Sequence, residues 1–141
     1  MAIGAAKRLK SGRVTGIDVW NPQVLSGNSI EAAKANAKLE GVADRVRFET
    51  CDPRKLVYPE NNFDVVVSAA ALHHLSEEED RDHAVREMYR VLRPGGRLLI
   101  FDSWHTGRYA QVLRECGASD VTLSAWEWQW CAPSRSATAR K

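Results

Sequence analysis

The feature that most constrains the fold is an apolar run at residues 63–68, which contains three consecutive valines. A strand with one solvated face alternates apolar and polar residues, whereas a continuous run of β-branched residues is typical of a central strand buried on both faces. Such strands belong to parallel sheets that helices cover on both sides. The run therefore predicts the centre of an α/β domain.

Helical and strand-like patterns alternate through the rest of the chain. Apolar spacings of three and four predict helices over 2–9, 30–37, 85–92 and 109–116, and short apolar runs predict strands over 14–19, 46–51, 63–68, 98–101 and 121–125. Asn28 with Glu31, and Ser76 with Glu79, resemble capping boxes. Alternation of this kind predicts a doubly wound α/β fold with a mostly parallel sheet.

Length and composition indicate one domain. The chain has 141 residues, is 44% hydrophobic and carries a net charge of +2, with basic and acidic residues interspersed. We therefore expect a soluble, cytoplasmic protein with no membrane segment in this chain and no indicated nucleic-acid partner. Three dispersed cysteines fit reduced thiols, and no metal site is expected. Residues 133–141 are predicted to be a flexible tail or a short terminal strand.

Carboxylates stand directly after two predicted strands, where ligands bind in folds of this kind. Asp18 could accept hydrogen bonds from both hydroxyls of a ribose, and Asp52 could accept from an adenine amino group. Each also has a plain alternative, since Asp18 could cap a turn and Asp52 before Pro53 favours an Asx-turn. Trp20 could add an apolar face for a purine, although surface packing is the commoner role of such a residue.

Two histidines follow the central strand and its small residues. Because imidazole titrates near neutral pH, His73 and His74 could bind a substrate or act as a general base. The alternative is that one histidine caps the following helix and the other is solvated.

The segments "FDVVVSAAALHHL", "EMYRVLRPGGRLLIFD" and "VLRECGASDV" together resemble the class I S-adenosylmethionine-dependent methyltransferases, in particular the small-molecule group. The resemblance implies a Rossmann-like fold, S-adenosyl-L-methionine as cofactor, and direct methyl transfer to a small-molecule or lipid-like acceptor. It assigns the ribose to Asp18 and the adenine to Asp52. The other residues implied at the cofactor are Val19, Trp20, Cys51, Pro53, Ser68 and Ala69, and those implied at the substrate are His73 and His74.

The sequence departs from this family at its start. No strand and G-x-G-x-G loop precede Ala2, so we expect an N-terminally incomplete domain without its first strand and Gly-rich loop. In the family that strand lies between the two that end at Asp18 and Ser68. Its absence would leave the edges of two strands without a partner. Either the two edges pair with each other, or a partner chain or the missing segment fills the gap, or the domain is only marginally stable.

Two other functions remain open besides methyl transfer. One is a catalytically inactive fragment that acts only by binding, and the other is a nicotinamide-dependent dehydrogenase, since Asp18 would serve its ribose as well. Trp126, Trp128 and Trp130 alternate and share a face if their segment is extended. They are expected to pack in the core in preference to lining a substrate pocket or a dimer contact.

Overall fold

The computed structural model describes residues 1–21, 23, 26–129 and 132–141, with the backbone alone at residue 129. The chain divides into two compact units, Met1–Asp52 and Pro53–Lys141, and each is described by itself.

The first unit is a parallel strand pair with two helices. Its elements in chain order are α1 (Ala2–Arg8), β1 (Val14–Asp18), α2 (Ile30–Leu39) and β2 (Val46–Thr50). Asp18 pairs with Thr50 at the carboxyl ends of both strands. Gly16 allows α1 to lie close to the sheet, because a Cβ at this position would stand only 3.0 Å from the Ala2 Cβ and 3.1 Å from the Phe48 ring.

The second unit is a mixed sheet packed against two helices. Its elements are β3 (Phe63–Ala69), a 3-10 turn (Leu72–His74), α3 (Glu78–Val91), β4 (Leu92–Asp102), α4 (Thr106–Glu115), β5 (Ser119–Leu123), β6 (Glu127–Gln129) and β7 (Ala132–Arg140). The strand order is β3-β4-β7-β5, and β6 pairs with β7 in antiparallel orientation. β3 and β4 are parallel, whereas β7 runs antiparallel to β4 and β5.

The core of the second unit lies between this sheet and helices α3 and α4. Its buried side chains include Val85 and Met88 of α3, Leu98 and Ile100 of β4, and Leu113 of α4. An ion pair between Arg108 and Asp82 joins the two helices. The Arg108 Nη2 lies 2.5 Å from the Asp82 Oδ2. The fold is therefore the α/β arrangement that the alternation of patterns predicted.

A second polar cluster anchors the segment before β3 to α3. The Glu87 carboxylate accepts from the Leu56 backbone N–H at 2.8 Å and from the Arg90 Nε at 2.6 Å. Arg90 in turn donates to the carbonyl oxygens of Leu56 and Tyr58. The Arg90 hydrogen bond, followed by the one from Leu56, holds the pKa of Glu87 below its usual value, although partial burial opposes this effect.

Several local predictions were wrong. Val65 and Val67 are 56% and 45% exposed, so β3 is not buried on both faces; among the described residues it has a single strand neighbour, β4. Ser29, not Asn28, caps α2, and its Oγ accepts from the Ala32 N–H at 3.1 Å.

The predicted Ser76–Glu79 capping box does not form either. α3 begins after Glu77, and no side chain caps it. The expected core role of the tryptophans is also wrong for Trp126 and Trp128, which are 52% and 80% exposed. Trp130 lies outside the described residues. None of the described helices is long and apolar enough to cross a membrane.

Replacing Glu87 by Gln tests the anchoring cluster. We expect the free energy of unfolding to fall by about 1.5–3 kcal/mol at pH 7, the usual worth of a hydrogen bond to a charged group. The depressed pKa means that this stabilisation is complete above the ordinary value of 4.5 and is lost as the pH falls below it. Urea unfolding at pH 7 and pH 3.5 measures both effects.

The matched control is Glu79→Gln, which changes an exposed residue of the same helix. Equal effects of the two substitutions at pH 7 would contradict the anchoring role of Glu87.

Candidate functional site

The carboxyl ends of β1 and β2 bring the predicted nucleoside-binding residues together. The Cys51 backbone N–H donates to the Asp18 carbonyl oxygen at 3.2 Å, so the two strand ends remain paired as far as the residues that follow them. Cys51 is buried and Asp52 is half-buried directly beyond it. Asp18 therefore ends β1, and Asp52 follows β2 at the same end of one parallel pair.

The Asp18 carboxylate is held by two donors of its own unit. Its Oδ1 accepts from the Trp20 backbone N–H at 2.7 Å, and its Oδ2 accepts from the Asn28 Nδ2 at 3.3 Å. A carboxylate offers about four acceptor positions, so one remains on each oxygen. Asp18 thus caps the turn and still has acceptor positions for a pair of vicinal hydroxyls. Its interpretation as a turn cap is therefore compatible with its interpretation as a ribose-binding residue.

Trp20 is partly buried beside this carboxylate. Its ring meets Phe48 edge to face at 6.4 Å between centroids, and its backbone has a φ of 55°. The indole Nε1 is buried and has no hydrogen-bond partner among the described residues. A buried donor of this kind costs stability unless something satisfies it. Val19, between Asp18 and Trp20, is 53% exposed.

Residues with positive φ follow the ends of three strands. They are Trp20 after β1, Ala70 after β3 and His105 after β4, and two further non-glycine residues in the described chain share this conformation. Strained backbone of this kind persists where the surrounding structure requires it, often at ligand sites.

Ser68 and Ala69 lie at the end of β3, where Ser68 is buried and Ala69 half-buried.

A buried carboxylate holds His73 in the second unit. Asp102 is fully buried at the end of β4, and its Oδ1 lies 2.5 Å from the His73 Nδ1. The same carboxylate accepts from the His73 backbone N–H at 3.2 Å and from the Ser103 N–H at 2.9 Å. Since Nδ1 faces an acceptor, it carries a proton, and the neutral ring keeps its lone pair on Nε2.

Aromatic side chains surround this pair. The His73 ring lies 4.0 Å from the His74 ring and 5.6 Å from the Trp104 ring, measured between centroids. Desolvation, followed by the neighbouring His73, lowers the pKa of His74, while Asp102 opposes the shift. His74 is therefore less readily protonated than an ordinary histidine. Trp104 is 54% exposed, so it offers an aromatic face beside the histidines.

Buried polar groups support the turn that carries His73. Arg81, which is 7% exposed, donates through Nη1 to the carbonyl oxygens of Leu75 and Ser76 at 2.5 and 2.8 Å. Tyr109 is fully buried, and its hydroxyl has no partner among the described residues. Burial and the charge of Asp102 raise the Tyr109 pKa strongly, so this hydroxyl stays protonated.

Sequence reasoning assigned no functional role to Asn28, Asp102 or Trp104. Asp102 ends a predicted strand as Asp18 does, so its position at the ligand-binding edge followed from the sequence, whereas its pairing with His73 did not. Asn28 was assigned to a helix cap, and Trp104 had no signal beyond following Asp102. No group of three histidine, cysteine or acidic side chains with a metal-binding arrangement occurs in the described part of the chain.

Residues 2–100 match the family described as "Methyltransferase domain". Methyltransferase GfsG of Streptomyces halstedii is 42% identical over 112 residues, which are 79% of this chain and 39% of that protein. The 27-O-demethylrifamycin SV methyltransferase of Amycolatopsis mediterranei is 45% identical over 89 residues, which are 63% of this chain and 29% of that protein. The chain thus spans well under half the length of these relatives.

A solved structure shares the fold. The N-methyltransferase NodS from Bradyrhizobium japonicum, in complex with S-adenosyl-L-homocysteine, gives a TM-score of 0.69 at 21% identity, over 91% of this chain and 66% of that one. The chain belongs to the methyltransferase domain family and is of the class I type, whose cofactor is S-adenosyl-L-methionine.

Replacing Asp18 by Ala tests the nucleoside site. We expect the Kd for S-adenosylhomocysteine to rise at least about tenfold, because hydrogen bonds to a carboxylate are worth ~1.5–3 kcal/mol. Isothermal titration calorimetry measures it. Asp44→Ala removes an exposed carboxylate of the same unit and should leave the Kd unchanged. Unchanged binding in Asp18→Ala would show that this carboxylate does not hold the ribose.

Proposed function

We propose that this chain forms part of an enzyme that transfers the methyl group of S-adenosyl-L-methionine to a hydroxyl oxygen of a small-molecule acceptor. The observation that carries the proposal is the His73–Asp102 pair, which places an oriented imidazole beside an exposed tryptophan in a member of the methyltransferase family. The family match favours methyl transfer over the nicotinamide-dependent alternative.

The residues at the ends of β1 and β2 fit the adenosine half of the cofactor. Asp18 would accept from the ribose hydroxyls and Asp52 from the adenine amino group, with Val19 and Trp20 beside the purine. The remaining acceptor positions on Asp18 are what a polar ligand would complete. The backbone of Cys51 would add a further cofactor contact in the first unit, and Pro53, Ser68 and Ala69 of the second unit stay predicted cofactor residues on the family resemblance alone. The bound cofactor would supply an electrophilic methyl group on a sulfonium.

His73 has the geometry of a general base. An acceptor oxygen that gains a methyl group must lose its proton, and the Nε2 lone pair of neutral His73 can take it. Asp102 fixes the ring and stabilises the imidazolium that results, as a carboxylate does for other catalytic histidines. The proton then passes to solvent. His74, whose pKa desolvation lowers, adds a hydrogen-bonding group that is less readily protonated.

The relatives support a small-molecule acceptor. One is named for 27-O-demethylrifamycin SV, a small molecule that lacks a methyl group on oxygen. The exposed ring of Trp104 next to His73 suits an acceptor with an apolar or aromatic body.

His73→Gln and Asp102→Asn test the base. We expect each to lower kcat by about a hundredfold or more while leaving cofactor affinity unchanged, because proton transfer contributes about 10²–10⁴ in rate. Asp102→Asn acts by presenting an amide where Nδ1 needs an acceptor. Mass spectrometry of product formed from deuterated S-adenosylmethionine and a panel of naphthols measures the rate.

The control is His83→Gln, which changes an exposed histidine of α3. Full activity in His73→Gln, with the fold verified by circular dichroism, would show that this histidine is not the base. Cofactor binding by the wild-type chain without any methylated product across the panel would favour the binding-only alternative.

A further inference from the structure

An arginine without an acidic partner lies at the same end of the sheet as the histidine pair. Arg135 of β7 is the backbone partner of Asp102 in β4. Side chains of directly opposed residues in an antiparallel pair lie on the same face, with Cβ atoms about 4.5–5.5 Å apart. Arg135 therefore leaves the sheet on the face from which Asp102 reaches His73.

The burial pattern confirms which face this is. Ala137 and Ala139 alternate with Arg135 along β7, and both are buried against the core. Their partners in β4 are Ile100 and Leu98, which are also buried. Arg135 thus lies on the core-facing side of β7, at the edge of the core next to the loop that follows β4.

The Arg135 side chain is held in one orientation by two contacts. Its Nε donates to the Thr106 Oγ1 at 2.7 Å, and its guanidinium carbon lies 4.3 Å from the centroid of the Trp126 ring. Thr106 is buried at the first turn of α4, whereas Trp126 is 52% exposed. These contacts use one nitrogen and one face of the guanidinium, and they leave its two terminal nitrogens available.

Arg135 is one of four arginines of the second unit, with Arg81, Arg97 and Arg114, that have no carboxylate partner in the described chain. Arg81 and Arg114 donate to backbone carbonyl oxygens instead. Carboxylates pair with Arg54, Arg86, Arg90, Arg93, Arg108 and Arg140. No carboxylate of the described chain pairs with Arg135, and the Asp102 carboxylate is occupied by His73 and Ser103. A stacked guanidinium with free terminal nitrogens matches the two oxygens of a carboxylate or phosphate. Because Thr106 and Trp126 already fix the Arg135 side chain, binding an anion costs it little further conformational entropy.

We propose that Arg135 and Trp126 bind an oxyanion on an aromatic acceptor, so that the enzyme prefers acceptors carrying a carboxylate or phosphate. This rests on the proposed methyl transfer and narrows its substrate class. Trp126 and Trp104 would contact the apolar body of such a molecule while Arg135 takes the anion. A role confined to tying β7 to α4 would use the Thr106 hydrogen bond and would need no charge at the free nitrogens.

Binding of matched probes to the full chain tests the proposal without requiring turnover. The probes are 6-hydroxy-2-naphthoate, its methyl ester and 2-naphthyl phosphate, titrated by calorimetry. We expect at least one of the two anions to bind tenfold or more tightly than the ester. The better of the two identifies the oxyanion as carboxylate or phosphate. Equal affinity for the ester and both anions in the wild-type chain would overturn the proposal without any variant.

Variants locate the preference. Arg135→Gln should abolish the difference between anion and ester, and Arg135→Lys should retain part of it. Arg140→Gln is the matched control, because it removes an arginine of the same strand that pairs with Asp120. A preference that survives intact in folded Arg135→Gln would contradict the proposal.

The outcome is separable from that of the proposed function. Anion-selective binding that depends on Arg135, with no methylated product, would contradict methyl transfer and uphold the anion site. Methylation of acid and ester with equal KM, unaffected by Arg135→Gln, would uphold methyl transfer and overturn the anion site.

Discussion

The Asp102 carboxylate is the interaction on which the second unit's chemistry depends. It is fully buried, and an unpaired buried charge is costly, so it needs the three N–H groups that reach it. Two of them belong to His73 and one to Ser103. The carboxylate therefore ties the turn after β3 to the end of β4 and at the same time fixes the ring of His73.

The carboxyl ends of the strands carry the polar groups in both units. In the first unit Asp18 ends β1 and Asp52 follows β2, and in the second unit His73 follows β3 and Asp102 ends β4. Within each unit, parallel strands deliver their ends to one edge, which explains why residues distant in sequence lie at the same edge of that unit's sheet. β7 runs the other way, so it is the start of this strand that brings Arg135 to the same edge as Asp102.

The order of helices and strands from α1 to β5 followed from apolar periodicity, because this signal is local. The positions of Asp18 and Asp52 followed from the strand ends for the same reason. The His73–Asp102 contact joins residues 29 positions apart, so it depends on the register of β3 against β4, which periodicity does not report. The exposure of Val65 and Trp128 was mispredicted because apolar composition indicates burial only when another element covers the residue.

The tautomer of His73 tests the central claim most directly. Nitrogen-15 NMR of the ring, recorded over a pH series, separates protonated from unprotonated nitrogen. The buried carboxylate requires the proton on Nδ1 and a free lone pair on Nε2. A ring protonated on Nε2, or a signal that Asp102→Asn leaves unchanged, would contradict the account.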